Sequence, residues 1–233
     1  MTTTPDTLRD AMLLAAEEQL RSSADYDIAT RAVCEAVGVT QPVLYRLFGD
    51  KRGLLDAVAE AGMKRYSQRK AKLETTADPI ADLHLGWDDH MAFADENPAL
   101  YQLMFTPRPW STSNAREVVL GLLLGALTRV AAVGALAISP DKAARMILAA
   151  NVGLALERIH NPDIRADADL SHSLRDALFS SILRLAPQPV DTAPLPHAGR
   201  SLAAVLRLNP PTTLAPEELQ LMQLWLARLS ADQ

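Results

Sequence analysis

Residues 38–58 read GVTQPVLYRLFGDKRGLLDAV, and the architecture follows from this stretch. A short helix is expected over residues 30–37, ending at Gly38, which suits the left-handed conformation that closes a helix. Val39 forms the turn. Thr40 is expected to cap a helix that continues through Phe48 and stops at Gly49. Asp50 then caps a longer helix reaching about Lys72. Two short helices joined by a glycine-containing turn of about three or four residues have the layout of a helix-turn-helix.

The second of these helices has two unlike sides. At about 100° per residue, Leu44, Leu47 and Phe48 fall on one side, and Pro42, Tyr45 and Arg46 on the other, with Gln41 and Val43 on the flanks. The apolar side can pack on neighbouring helices while the other presents a phenol and a guanidinium. Against DNA each outward residue has a role that its chemistry allows. Arg46 can donate twice to guanine or once to a phosphate, and Gln41 can read adenine. Tyr45 can give its hydroxyl to a phosphate. Val43 and Pro42 can touch a thymine methyl. Thr40, and Thr30 at the start of the preceding helix, can meet the DNA backbone. Lys51 sits in the first turn of the next helix, where a cation opposes the helix dipole by about 0.3–1 kcal/mol. A bound phosphate oxygen is the expected offset. Arg46, Lys51 and Arg52 against Asp50 make a local excess of positive charge in a chain whose net charge is −5.

The same residues resemble the tetracycline-repressor (TetR) family pattern. That pattern has a Gly-Val turn, here Gly38-Val39, and a polar cap, Thr40. It continues with a Leu-Tyr pair, Leu44-Tyr45, and a closing aromatic, Phe48. A cap, a lysine and two leucines follow, here Asp50, Lys51 and Leu54-Leu55. The upstream IATRAVCEAVGV fits the first motif helix. The resemblance covers about residues 8–58. It implies that Tyr45 and Lys51 contact the DNA backbone and that Thr40, Gln41, Val43 and Arg46 face bases. Val43 stands where a hydroxyl or small residue is frequent, and Arg46-Leu47 replaces a pair that is often aromatic or histidine. An operator sequence therefore does not carry over. The resemblance further implies a larger helical body that binds an effector and dimerises.

Composition agrees with an all-α fold. Of the 233 residues, 48% are hydrophobic and only 5% aromatic. Leu and Ala dominate, and no long alternating β-branched run occurs. The expected organisation is a helix-turn-helix domain over 1–50, a helical effector-binding and dimerisation domain over 51–187, and a proline-containing linker with a helical extension over 188–233. The lone Cys34 excludes a disulfide framework, and the first residues lack a signal-peptide pattern, so a cytoplasmic setting is expected. The apolar stretch 118–138 carries Arg129 at its middle and reads as a buried helix, not a membrane span.

Beyond the motif, Trp87, His90 and Met91 form one stripe and Tyr101, Met104 and Phe105 another, with Trp110 in a proline-containing loop. Together they can line an apolar site for a small-molecule effector. For any one of them taken singly, core packing is the commoner role of an aromatic or Met at helical spacing. His84 and His90 do not share a helix face, so no metal is expected, and no cofactor is implied. Residues 139–160 carry two apolar stripes, one with Ala143, Ile147, Ala150 and Leu154, the other with Ala144, Leu148, Val152 and Ile159. Two stripes call for two partners, which points to a homodimer joined through this helix and that of 169–185, the alternative being a buried core helix of a single chain. Gly121 and Gly125 would allow close helix approach. In the last helix, Leu219, Met222, Leu226 and Leu229 form a stripe expected to fold back on the body or cap the dimer. No nucleophile–histidine–acid constellation or phosphate-binding loop suggests an enzyme. A ligand-responsive repressor is the reading that results. The alternative is a helical small-molecule-binding module without DNA binding.

Overall fold

The computed structural model describes residues 5–23, 26–109, 111, 114–184 and 194–230. These form helices throughout, with no strand among the described residues. The order is α1 (Pro5–Ser22), α2 (Thr30–Ala36), α3 (Gln41–Phe48), α4 (Lys51–Lys70), α5 (Pro79–Glu96) and α6 (Pro98–Phe105), followed by α7 (Ala115–Ala132), α8 (Pro140–His160), α9 (Pro162–Ala166), α10 (Leu170–Ile182), α11 (Leu195–Leu208) and α12 (Pro216–Leu229). The expected all-α class is what is found. Two compact units result, one from residues 1–73 and 89–118, the other from 74–88 and 119–233.

In the first unit, α1 packs on α2, α4 and α6, α2 on α3, and α3 on α4. Met12, Ala16 and Leu20 of α1, Val33 and Cys34 of α2, Leu44 of α3 and Leu54 and Val58 of α4 are buried. Two local devices set the angle between the short helices. Gly38 takes a φ of +71°, which a side chain would resist, and the Val39 amide returns to the Cys34 carbonyl at 3.0 Å. At the start of α4, the Asp50 carboxylate accepts from the Gly53 amide at 2.8 Å. A Cβ on Gly53 would stand 1.9 Å from the Phe48 carbonyl oxygen, so the end of α3 rests directly on the first turn of α4.

One expected cap differs. Thr40 occupies the cap position of α3 with extended backbone, but its side chain makes no capping bond. Proline at the next position but one already removes an amide that a cap would serve.

In the second unit, an antiparallel bridge between Leu136 and Leu183 ties the end of the α7–α8 connection to the end of α10. The Ala137 amide donates to Ile182 and the Arg184 amide to Ala135, at 2.8 and 2.9 Å. Several expectations are corrected here. α11 begins at Leu195 within the expected proline-containing linker, so Pro196 lies in the first turn of a helix where its missing amide costs nothing. Pro187 and Pro189 lie outside the described residues. Gly121 and Gly125 face open space, with no atom within 4 Å of an added Cβ, so they mark no close approach. Both stripes of α8 are largely buried within the chain itself, through Ala143, Ile147 and Leu154 on one side and Ala144, Leu148 and Val152 on the other. Ala150 and Ile159 of the same stripes are half-buried. Arg129 is held by Asp82 at 2.6 Å and by the Thr76 carbonyl at 2.5 Å. Among the described residues no helix is long and apolar enough to cross a membrane.

α11 and α12 form an antiparallel hairpin. Gly199 near the start of one meets Ser230 and Leu226 at the end of the other. Arg200, buried, donates to the Ser230 carbonyl at 3.2 Å and to that of Ala137 at 3.0 Å.

Candidate nucleic-acid interface

α3 folds with the polarity that its spacing requires. Leu44 is fully buried and Leu47 and Phe48 are half-buried, while Gln41, Pro42, Tyr45 and Arg46 are exposed and Val43 lies between. The guanidinium of Arg9 sits 5.3 Å over the Phe48 ring, closing the inner side with α1. The outer side is thus a short convex strip carrying a phenol, a guanidinium and a carboxamide. Thr40 is exposed beside it, and Thr30 is half-buried. The Gln41 carboxamide donates to the Thr30 hydroxyl at 3.2 Å, so these two expected contacts are already joined across the turn.

Lys51 is offset differently from the expectation. Its ammonium lies 2.6 Å from the Asp27 carboxylate, both side chains remaining substantially exposed, at 39% and 58%. Asp27 comes from the segment between α1 and α2, and its contact with Lys51 holds its carboxyl below the usual range. In the free chain a carboxylate therefore stands where a phosphate oxygen was expected. An exposed pair of this kind is worth about 0.2–1 kcal/mol, little enough for a phosphate to displace it. Sequence reasoning missed Asp27, because nothing in a polar loop distinguishes one aspartate from another.

Residues 13–58 match the family described as bacterial regulatory proteins, tetR family. The N-terminal segment is a TetR-family domain. Over 53 residues the chain is 45% identical to the tetracycline repressor protein class C of Escherichia coli, a match that covers 23% of this chain and 24% of that repressor. It thus spans about a quarter of that curated relative. Beyond this segment the likeness is to the fold of solved structures. A TetR-family transcriptional regulator from Pectobacterium atrosepticum superposes with a TM-score of 0.63 at 18% identity, over 81% of this chain and 100% of that one. SmeT, the repressor of the Stenotrophomonas maltophilia efflux pump SmeDEF, superposes with a TM-score of 0.61 at 20% identity, over 80% and 95%.

The TetR resemblance also placed candidate effector contacts in the larger body. In the unit containing α4 and α6, His90 is buried between two tyrosines. Its Nδ1 lies 2.8 Å from the Tyr66 hydroxyl and its Nε2 2.7 Å from that of Tyr101. A neutral imidazole has one N–H and one lone pair, so it donates to one tyrosine and accepts from the other. Burial pushes the His90 pKa down to about 3 and raises those of both phenols. Met91, Tyr101, Met104 and Phe105 are buried around it, and the Tyr101 and Phe105 rings lie 4.5 Å apart. A pocket of about 370 Å³, lined by Met104, Phe105, Arg108 and Arg116 among others, opens at the end of α6. This is within the size range of small-molecule sites. Met104 and Phe105 reach it, and His90, Met91 and Tyr101 are not among its lining. Arg108 donates to the Leu103 carbonyl at 2.8 Å, and Ser111 donates to Asp56 of α4 at 2.8 Å.

Trp87 belongs to the other unit. It is buried, its indole N–H donating to Ser171 at 3.1 Å and its ring meeting Phe179 edge-on. Trp110 lies outside the described residues. Cys34 is buried and its thiol pushed up by that burial, consistent with a small apolar side chain.

Proposed function

We propose that the chain is a transcription regulator that binds double-stranded DNA as a homodimer and is released by a small-molecule effector. The carrying observation is the outward strip of α3, with Tyr45 and Arg46 exposed beside Lys51. A phosphate that replaces the Asp27 carboxylate on Lys51 keeps the ammonium paired and lies at the positive end of the α4 dipole. Thr30, Thr40 and Tyr45 then contact the backbone, while Gln41, Pro42, Val43 and Arg46 face bases. Gln41 must release Thr30 to do so. Two such helices reading successive major grooves require a pseudo-palindromic site. The DNA-binding part is proposed to span 1–50, the effector and dimerisation part 51–187, and the extension 188–233.

Effector control runs through α4. One end of this helix carries Lys51, and the other is clamped on α5, where Arg69 pairs with Asp89 and Glu96 and Lys70 with Asp89. Tyr66 adds the buried bond to His90. An effector that prefers a different setting of α6, whose Tyr101 shares His90, shifts α4 and lowers DNA affinity by linkage. Met104 and Phe105 place apolar surface at the neighbouring pocket. One structural neighbour is a complex of SmeT with triclosan, which supports an apolar small molecule as the effector class. The reading implies a cytoplasmic protein without enzymatic activity.

Gel shifts on the DNA upstream of the protein's own gene test this. A salt-dependent, competable shift that Lys51→Ala weakens on every sequence is expected. A chain that binds small molecules yet shows no salt-dependent association with DNA would instead be the ligand-binding module.

A further inference from the structure

The pocket at the end of α6 has walls of two kinds. Met104 and Phe105 give it an apolar side. Arg108, Arg116 and Glu117 also line it, two cations against one anion among the described lining residues, in a chain whose net charge is −5. Arg116 and Glu117 belong to the first turn of α7, the positive end of that helix's dipole. The volume of about 370 Å³ lies at the small end of the roughly 300–1,000 Å³ of ligand sites. Arg108 is the more enclosed cation, its side chain 15% exposed. Burial makes its charge costly and pushes its pKa down, while Asp56 acts the other way. Asp56 of α4 stands 3.7 Å from the Arg108 Nη2, an ion pair too long for a hydrogen bond. That nitrogen donates to the Leu103 carbonyl at 2.8 Å, and the Asp56 carboxylate accepts from the Ser111 hydroxyl at 2.8 Å.

We propose that the effector is an amphipathic acid, a small molecule with an ionised carboxylate on an apolar body, and that its carboxylate takes Arg108 from Asp56. The inference rests on the effector reading and narrows its chemistry from an apolar molecule to an apolar acid. The apolar body lies against Met104 and Phe105, and the carboxylate meets the guanidiniums of Arg108 and Arg116. A carboxylate can accept two parallel hydrogen bonds from a guanidinium at about 2.7–2.9 Å. That is a closer contact than the 3.7 Å at which Asp56 stands. A neutral ligand of the same shape forgoes this gain. A cationic one meets Arg108 and Arg116 as like charges, with only Glu117 to attract it among the described lining residues. The competition also gives binding a route to DNA. Asp56 shares the N-terminal half of α4 with Lys51, so drawing Arg108 off Asp56 removes a tie between the segment after α6 and the helix whose first turn carries Lys51. A ligand shifts an equilibrium only by its differential affinity for two states. The Arg108–Asp56 contact is where these two states differ.

Three probes with one chain and three head groups test this without DNA. Octanoate, 1-octanol and octylammonium are titrated into the full chain by calorimetry. Octanoate is expected to bind about tenfold tighter than either of the others. Arg116→Gln, at an exposed position, should lower octanoate affinity about two- to fivefold, with no such change for 1-octanol. Asp56→Asn keeps an oxygen for Ser111 and removes the competing charge, so octanoate affinity should rise about two- to fivefold, again without a matching change for 1-octanol. Arg108→Gln should abolish the preference for the acid. Where that variant is too unstable to titrate, Arg116→Gln and Asp56→Asn still decide. The proposal is overturned by 1-octanol or octylammonium binding as tightly as octanoate, by none of the three binding, or by octanoate affinity unmoved in Arg116→Gln or in Asp56→Asn. Gel shifts with Lys51→Ala report on DNA binding separately. A missing acid preference therefore leaves the DNA reading standing, and missing DNA binding leaves the acid site standing.

Discussion

Lys51 and Asp27, separated by 24 residues in the chain, meet at 2.6 Å at the start of α4. The contact makes Asp27 an internal competitor for the phosphate that Lys51 is proposed to bind. Asp27→Asn removes the competing charge and leaves the fold intact, because the pair is exposed. DNA affinity is expected to rise about two- to fivefold, the size of an exposed ion pair. Lys51→Ala should instead weaken binding to all sequences and lower the salt slope by about one. Fluorescence anisotropy across a salt series measures both, and unchanged affinity in Asp27→Asn would remove the competitor role.

Arg46 should behave differently from Lys51. Its guanidinium stands exposed on the outward strip of α3. Arg46→Ala is expected to cost about 1–3 kcal/mol on the preferred site and to relax preference at one base position. Selection from a randomised duplex library reads this out. A uniform loss with unchanged preference would reassign Arg46 to a phosphate.

Glycines on two helices should respond with opposite signs. At Gly53 the space for a side chain is taken by the Phe48 carbonyl, 1.9 Å from an added Cβ. Gly53→Ala must push α3 away from α4 and is expected to destabilise the chain by about 2 kcal/mol or more. At Gly121 and Gly125 of α7 nothing is in the way, and alanine is expected to stabilise by about 0.5–1 kcal/mol at each. Thermal melts of the three variants decide the matter.

The buried His90 gives a pH dependence of definite sign. Its pKa falls from an ordinary 6.5 to about 3 on folding, because burial disfavours the imidazolium. The folded state therefore binds this proton less well than the unfolded one. The stability it contributes is complete above about pH 6.5 and is lost as pH falls toward 3, by up to about 1.4 kcal/mol per pH unit. His90→Gln cannot titrate there. Urea unfolding between pH 7 and 4 should show a shallower loss in the variant than in the wild type. Equal slopes would mean that His90 is not a neutral buried group. Tyr66→Phe, which strands one ring nitrogen, is expected to cost about 1–3 kcal/mol at neutral pH.

Much of the geometry proposed to face DNA was legible in the amino-acid sequence. The period of Leu44, Leu47 and Phe48 placed Tyr45 and Arg46 outward, the turn needed a positive φ at Gly38, and Asp50 had to cap α4. These are local rules, acting over one or two turns of backbone, and local rules can be read from spacing. The limits lie where contacts cross between elements. Thr40 looked like a side-chain cap and is only a positional one. Of the two stripes of α8, most residues are covered within the chain itself, with Ala150 and Ile159 half-buried.

What the sequence alone determined is the helical class, the helix-turn-helix and the polarity of α3, since each depends on periodicity and on backbone preferences of single residues. Tertiary structure decided the pairing of Lys51 with Asp27, the bridge from Tyr66 through His90 to Tyr101, and which residues of α12 are covered, Leu226 being buried and Leu219 and Met222 half-buried. Periodicity says that a face is apolar but not which neighbour arrives to cover it. That choice depends on the path of the chain between helices, and no single window of residues contains it.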